Sequence, residues 1–204
     1  TGKTEMLKYM AYQDILHGEG VCYIDPHGDA VEDLLTKIPP ERIKDVIYFN
    51  PADVQRPPGL NILEAQTQEE KNIIVNSFIG LLYKLYDPNR TGIMGPMLER
   101  AVRNTMLTAM ESEGSTLIEV LRLLTSPDYA KTKIPLIKDP VIKTYWTEEL
   151  ARTTDFHKSE MMGYFVSKFD HFVTDITMRN IIGQSKSSFS FAESMNTKKI
   201  LLIN

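Results

Sequence analysis

Apolar positions along the chain recur in two rhythms, and the rhythms divide it. From Thr4 to His17, Met6, Leu7, Met10, Ala11 and Ile15 fall at helical spacing and predict an amphipathic helix with those five residues on its buried face. Gly18 and Gly20 punctuate that helix, and Val21-Cys22-Tyr23-Ile24 follows as a short run of strand formers closed by Asp25. Pro26-His27-Gly28 predicts a turn, and Ala30 to Lys37 a short helix with Asp29 as its cap. Pro39-Pro40 breaks the helix, and Val46-Ile47-Tyr48-Phe49 reads as a second buried strand closed by Asn50-Pro51. Helix and strand in alternation argue for a parallel sheet with crossover helices.

After the Arg56-Pro57-Pro58-Gly59 loop the rhythm becomes helical almost throughout. Gln68 to Tyr86 carries Ile73, Ile74, Phe78, Leu81, Leu82 and Leu85, and Pro96 to Glu111 carries Met97, Ala101, Val102, Thr105 and Ala109. Further helices are expected over Thr116 to Leu124, with Ser115 as cap, and over Pro140 to Arg152, His157 to Val173 and Ile176 to Ile182. Strand character returns only at Lys199 to Asn204. The expected class is α/β with a large all-α insertion. Its parts are an α/β segment at 1–66, an inserted helical block at 67–183 and a return to the sheet at 184–204 with the final strand.

Composition narrows this. Of 204 residues, 42% are hydrophobic and 25% charged, the balance of a soluble globular chain, which excludes disorder or coiled coil throughout. Cys22 has no second cysteine, so there is no disulfide scaffold, and a lone thiol fits a reducing compartment. No apolar run approaches the roughly 20 residues of a membrane span, and no signal peptide is expected in these residues. The net charge of -4 does not by itself argue for nucleic acid. It is unevenly spread: residues 1–132 carry 13 basic and 19 acidic side chains, residues 133–204 carry 10 and 8. The chain begins Thr1-Gly2-Lys3-Thr4 rather than with Met and stops in an apolar strand, so it is expected to be a fragment cut inside a larger domain.

The chemistry lies at the first helix. Gly2-Lys3-Thr4 precedes an amphipathic helix and matches the last three residues of a phosphate-binding loop, G-x-x-x-x-G-K-[ST]. Amide groups at a helix start and the helix dipole attract an anion. Lys3 would reach the β- and γ-phosphates and the Thr4 hydroxyl would bind Mg2+. An ordinary helix start with a surface lysine fits the bare tripeptide too. Asp25, at the carboxyl end of the first strand, stands where ligands sit in open α/β sheets. It either orders water or metal near a γ-phosphate or forms the turn before Pro26. His27 and Asn50 read first as turn residues.

Taken in order, Gly2-Lys3-Thr4, Tyr23-Ile24-Asp25-Pro26-His27-Gly28-Asp29, Phe49-Asn50-Pro51, Leu60-Asn61-Ile62-Leu63 and the stretch from Met178 to Phe189 resemble the HerA/FtsK superfamily of P-loop motor ATPases. Within it they are most similar to conjugative coupling proteins of the TraG/TraD type. The resemblance runs over residues 1–204. It implies a RecA-like P-loop sheet, present in part, from a ring-forming motor, often hexameric, that hydrolyses ATP with Mg2+ to move DNA. It implies nucleotide contacts at Gly2, Lys3 and Thr4, an acidic position near the nucleotide at Asp25 and a motif glutamine, Gln184, among the cofactor-binding residues, with Lys3 and Asp25 as the catalytic pair and Thr4 as the metal ligand. It also implies a cytoplasmic setting, at the inner-membrane face if further segments anchor it, with secretion-system proteins as partners. The chain departs from the family in lacking the first half of the phosphate loop. The acidic strand-end motif and the arginine finger are expected beyond Asn204, so these 204 residues alone are expected not to hydrolyse ATP.

Other features read as structure. Tyr145 and Trp146 would stack on bases or, the better default for helical aromatics, pack in a core. Met94, Met97, Met106, Met110, Met161 and Met162 suit core filling or a soft partner surface. Lys158, Lys168, Arg179 and Lys186 would meet phosphates or simply solvent. The four histidines, His17, His27, His157 and His171, are scattered and suggest no metal site. Two other functions stay open: a HerA-like ATPase in DNA processing, and a helical interaction module in which Gly-Lys-Thr is incidental.

Overall fold

Strand formers between glycine and aspartate stops, and long apolar stripes after residue 67, become strands and helices in the computed structural model. It describes residues 2–92, 94–152 and 155–204, with the side chains of 155–162 and 171 outside the description. The readings made of His157, Lys158, Met161, Met162 and His171 therefore lie outside the described side chains. The chain runs α1 (Gly2–Leu16), β1 (Val21–Ile24), α2 (Asp29–Thr36), a 3-10 turn (Pro40–Asp45) and β2 (Val46–Phe49). Helices α3 (Gln68–Tyr86), α4 (Pro96–Ala109), α5 (Leu117–Thr125), α6 (Pro127–Lys133) and α7 (Pro140–Thr144) follow. A π-helical segment (Tyr145–Glu149) leads into α8 (Leu150–Arg152), α9 (Asp155–Thr174), α10 (Ile176–Ile182), α11 (Phe191–Asn196) and β3 (Ile200–Ile203).

The chain forms two compact units, Thr1–Pro58 with Ser187–Asn204, and Gly59–Lys186. The sequence placed the divisions at 66/67 and 183/184. Residues 59–66 and 184–186 belong with the helices because Leu60 N donates to the Ile181 carbonyl, and the Asn61 amide donates to the carbonyls of Ser115 (3.1 Å) and Ser185 (2.9 Å).

The first unit is α/β. Its three strands form one parallel sheet in the order β1-β3-β2, with Val21 and Val46 level with Ile200, and Ile24 and Phe49 level with Ile203. One sheet face, with Val21, Tyr23, Val46, Ile200 and Leu202, packs on Ala11 and Ile15 of α1 and Val31 and Leu34 of α2. Phe49 and Leu201 are buried on the other face, where the Phe189 ring meets Phe49 edge-on at 6.0 Å. Cys22 and Ile24, also on that face, are exposed.

The α1 face differs from the expectation. Ala11 and Ile15 are buried, but Met6 (64% exposed), Leu7 and Met10 are not. Apolar residues occupy two arcs of this helix, and the arc that meets the sheet is the one with small Ala11 and β-branched Ile15. Lys8 shares that side, its ammonium 2.8 Å from Asp33 of α2. The cap of α2 differs too. Asp29 is the first helical residue, and Gly28 precedes it with a left-handed φ of 85° and no side-chain cap.

At the amino end of the sheet one guanidinium ties the unit together. Arg42 Nε donates to Asp45 Oδ2 at 2.9 Å, Nη1 to the Ile15 carbonyl at 2.9 Å, and Nη2 to the carbonyls of Lys198 (2.9 Å) and Glu19 (3.3 Å). Lys199 Nζ reaches the other Asp45 oxygen at 3.1 Å. Arg42 thus satisfies the open end of α1, where a cation also suits the helix dipole, and joins it to the segments that start all three strands.

The second unit is helical. Val75, Phe78, Ile79 and Leu82 of α3, Ala101, Val102 and Met106 of α4, Leu117, Val120 and Leu123 of α5 and Phe165 and Phe169 of α9 are buried. The Phe165 and Phe169 rings lie 4.5 Å apart, edge to face, and Phe78 is 5.3 Å from Phe169. Two capping boxes start α3 and α5, Thr67 with Glu70 and Thr116 with Glu119, so Thr116 rather than Ser115 caps α5. Asp87 shapes the turn after α3, accepting from the backbone of Thr91, Gly92 and Met94 and from the Thr91 hydroxyl. Tyr145 and Trp146 are buried, and the indole N–H donates to Thr108 Oγ1 at 2.8 Å. Met94, Met106 and Met110 are core residues, whereas Met97 is exposed.

Candidate functional site

Parallel strands place their carboxyl ends on one edge, the edge at which open α/β sheets bind ligands. Helix α1 ends beside the strand starts, through the Ile15–Arg42–Lys198 tie, and α2 begins just past Ile24. The Lys8–Asp33 pair holds the middles of the two helices level, so both helix N-termini lie toward the carboxyl edge of the sheet. Gly2, Lys3 and Thr4 form the first turn of α1 and are exposed. A Cβ at Gly2 would meet nothing within 4 Å, which leaves this backbone open to close approach by a ligand. Helix N–H groups, the dipole and the Lys3 ammonium make this end electropositive.

Asp25 follows β1. One oxygen accepts from the His27 amide at 3.1 Å, the other from the Ala30 amide at 2.9 Å. Those bonds, Ala30's foremost, hold the carboxyl below the ordinary aspartate range, so it stays ionised. Asp25 therefore builds the 25–30 turn, and the unused lone pairs of the same oxygens remain for water or a cation. His27 is exposed on that turn. Asn50, after β2, likewise accepts from the Ala52 amide at 2.9 Å.

The group that joins these loops is Asn204, which follows the central strand. Its backbone N–H donates to the Phe49 carbonyl at 3.0 Å, and its Nδ2 to the Tyr48 hydroxyl at 3.1 Å. Its side-chain amide also lies against Gly28, where a Cβ would come within 2.9 Å of three of its atoms. Gly28 is thus required twice, by its positive φ and by this contact. Sequence reasoning read the Gly28 turn but missed Asn204 as a site residue. A polar residue closing an apolar strand was the only signal available.

Gln184 lies in the helical unit, while Gly2, Lys3, Thr4 and Asp25 lie in the α/β unit. Its Nε2 donates to the Asn180 carbonyl at 2.8 Å, and its Oε1 would be 2.8 Å from a Cβ at Gly59. Gln184 and the buried Asn61 thereby fix the 59–63 segment against the end of α10. Beside it a polar cleft of about 600 Å3 is lined by Asn61, Glu64, Gln66, Ser112, Glu113 and Ser185, among others. Sequence reading placed Asn61 in a motif without a role; its burial supplies one.

Among the described residues no three His, Cys, Asp or Glu side chains are grouped to hold a metal ion, and no helix is long and apolar enough to cross a membrane. No family model matches this chain, nor does any curated protein or solved structure in the comparisons made.

Proposed function

We propose that the α/β unit is part of a RecA-like P-loop nucleotide-binding domain from an ATP-driven DNA translocase, of the kind that the motif order resembles in HerA/FtsK-type coupling proteins. The helical unit is then the insertion of that motor. The observation that carries the reading is the placement of Gly2-Lys3-Thr4 in the open first turn of a helix packed on a parallel sheet and directed to its carboxyl edge.

The donor set suits MgATP. Lys3 would neutralise the β- and γ-phosphates, the first-turn amides of α1 would donate hydrogen bonds to phosphate oxygens, and the Thr4 hydroxyl would join the Mg2+ shell. Mg2+, when held there, would offset phosphate charge. Asp25 would hold the 25–30 turn and keep an ionised carboxylate at the same edge. DNA as substrate, a hexameric ring, secretion-system partners and a place at the cytoplasmic membrane face belong to this proposal through the motif resemblance.

The test is MgATP binding and DNA-stimulated phosphate release by the full-length protein, with Lys3→Ala beside it. The reading expects saturable binding, and hydrolysis reduced at least about a hundredfold by the substitution, as for loss of a transition-state charge contact. A wild-type protein that binds no nucleotide, or a Lys3→Ala variant that hydrolyses ATP normally, refutes it.

A further inference from the structure

We infer that the π-helical segment Tyr145–Glu149 is a register switch in the helical unit, held in its wide form by the Arg100–Glu149 pair and opposed by the buried Tyr145 hydroxyl. Every residue it needs lies within Gly59–Lys186, so it is independent of the nucleotide reading.

A π turn is rare and carries one residue more than the α turns beside it. Helix α4 grips this one at two places. Tyr145 and Trp146 are both buried, and the Trp146 indole N–H donates to Thr108 Oγ1 at 2.8 Å. At the far end of the segment Arg100 meets Glu149 as a two-point fork, Nε to Oε2 at 2.8 Å and Nη2 to Oε1 at 2.5 Å. One group pulls the other way. The Tyr145 hydroxyl is buried and has no hydrogen-bond partner among the described residues. A hydroxyl taken from water without a replacement bond disfavours the arrangement that buries it. Burial first, and then the Glu149 carboxylate, push its ionisation up to about 12, so it stays a neutral hydroxyl.

Expelling the extra residue would turn the chain beyond it by about 100° and draw it in by about 1.5 Å. Trp146 and Glu149 could not then both keep their partners on α4. The two registers are therefore discrete, and the three residues of α8, Leu150–Arg152, follow directly and turn with the segment. Glu149 is a positioning residue for the wide register, and Tyr145 supplies the bias against it.

A fixed bulge is the competing role. The probe is fluorotryptophan in the full-length protein, with the Trp146 signal identified by its loss in Trp146→Phe, and fluorine NMR relaxation dispersion reads a second state of that ring. The inference expects exchange between two states in the wild type. The minor state should rise about threefold in Glu149→Gln, which removes the charge of the pair. It should fall at least about fivefold in Tyr145→Phe, which removes the hydroxyl and keeps the ring. Exchange seen only in Glu149→Gln, and removed again when Tyr145→Phe is added, supports the inference as well. A single unexchanging Trp146 signal in the wild type and both variants overturns it, as does a minor state that moves the opposite way in either. Melting temperatures establish that each variant is folded. If Glu149→Gln is not, Tyr145→Phe decides alone, and a minor state absent from the wild type or unchanged in Tyr145→Phe overturns the inference.

Discussion

Single side chains at the two ends of the sheet do different work. Arg42 makes four hydrogen bonds at the amino end, three of them to main-chain carbonyls at a helix end and beside strand starts. Arg42→Ala is expected to destabilise the α/β unit by about 2 kcal/mol, read by chemical denaturation. Lysine should restore only part of this, since an ammonium cannot span the same fork of acceptors. Asp45 pairs with Lys199 and Arg42, and those two cations, Lys199 first, hold its carboxyl below the usual range. A folded value below the unfolded one stabilises the protein above about pH 4 and is lost as pH falls through the lowered value. Thermal melts between pH 6 and pH 2.5 should therefore show a steeper acid loss in wild type than in Asp45→Asn. At the carboxyl end, Gly28→Ala would strain a residue at φ 85° and displace the Asn204 amide, a cost of about 1–2 kcal/mol by denaturation.

Elements show where local signals suffice. The boundaries of α3 and α10 and the strands β1 and β2 stand where strand formers, caps and apolar stripes put them. Helices α6 and α11 were missed because they are short, 7 and 6 residues, and carry too little apolar stripe to register as a period. Ser126-Pro127 and the Ser190-to-Glu193 spacing were their only marks; Ser126 and Ser190 cap them. The expected single helix over Pro140 to Arg152 is interrupted by the π segment. Adjacent Tyr145 and Trp146 are both buried, and an α-helix points neighbours 100° apart, so a wider turn suits two inward rings. In the helical unit, Phe169→Ala should cost about 3–5 kcal/mol, because it empties the centre of the Phe78–Phe165–Phe169 cluster. Thr67→Ala should cost about 1 kcal/mol by removing one half of a capping box. Denaturant titrations of both variants check the ratio.

For the whole chain, the two units set where such losses are felt. Hydrogen exchange read by mass spectrometry should show Arg42→Ala loosening residues of Thr1–Pro58 and Ser187–Asn204, and Phe169→Ala loosening Gly59–Lys186. Loosening of the opposite unit in each case would refute that assignment. By itself the sequence determined the α/β class, the long helical insertion, the Gly-Lys-Thr turn and the Asp25 and Asn50 turns. Each depends on residues a few positions apart, whose caps, φ preferences and periodicity act within one or two turns of chain. Only the tertiary structure decided which apolar arc of α1 is buried, that β3 lies between β1 and β2, and that Asn61 and Gln184 fasten the entry to the helical unit. It alone joined Arg42 to the Lys198 carbonyl across 156 positions and set Asn204 against Gly28. Those choices come from packing and hydrogen-bond completion between distant segments, for which no local pattern carries a signal.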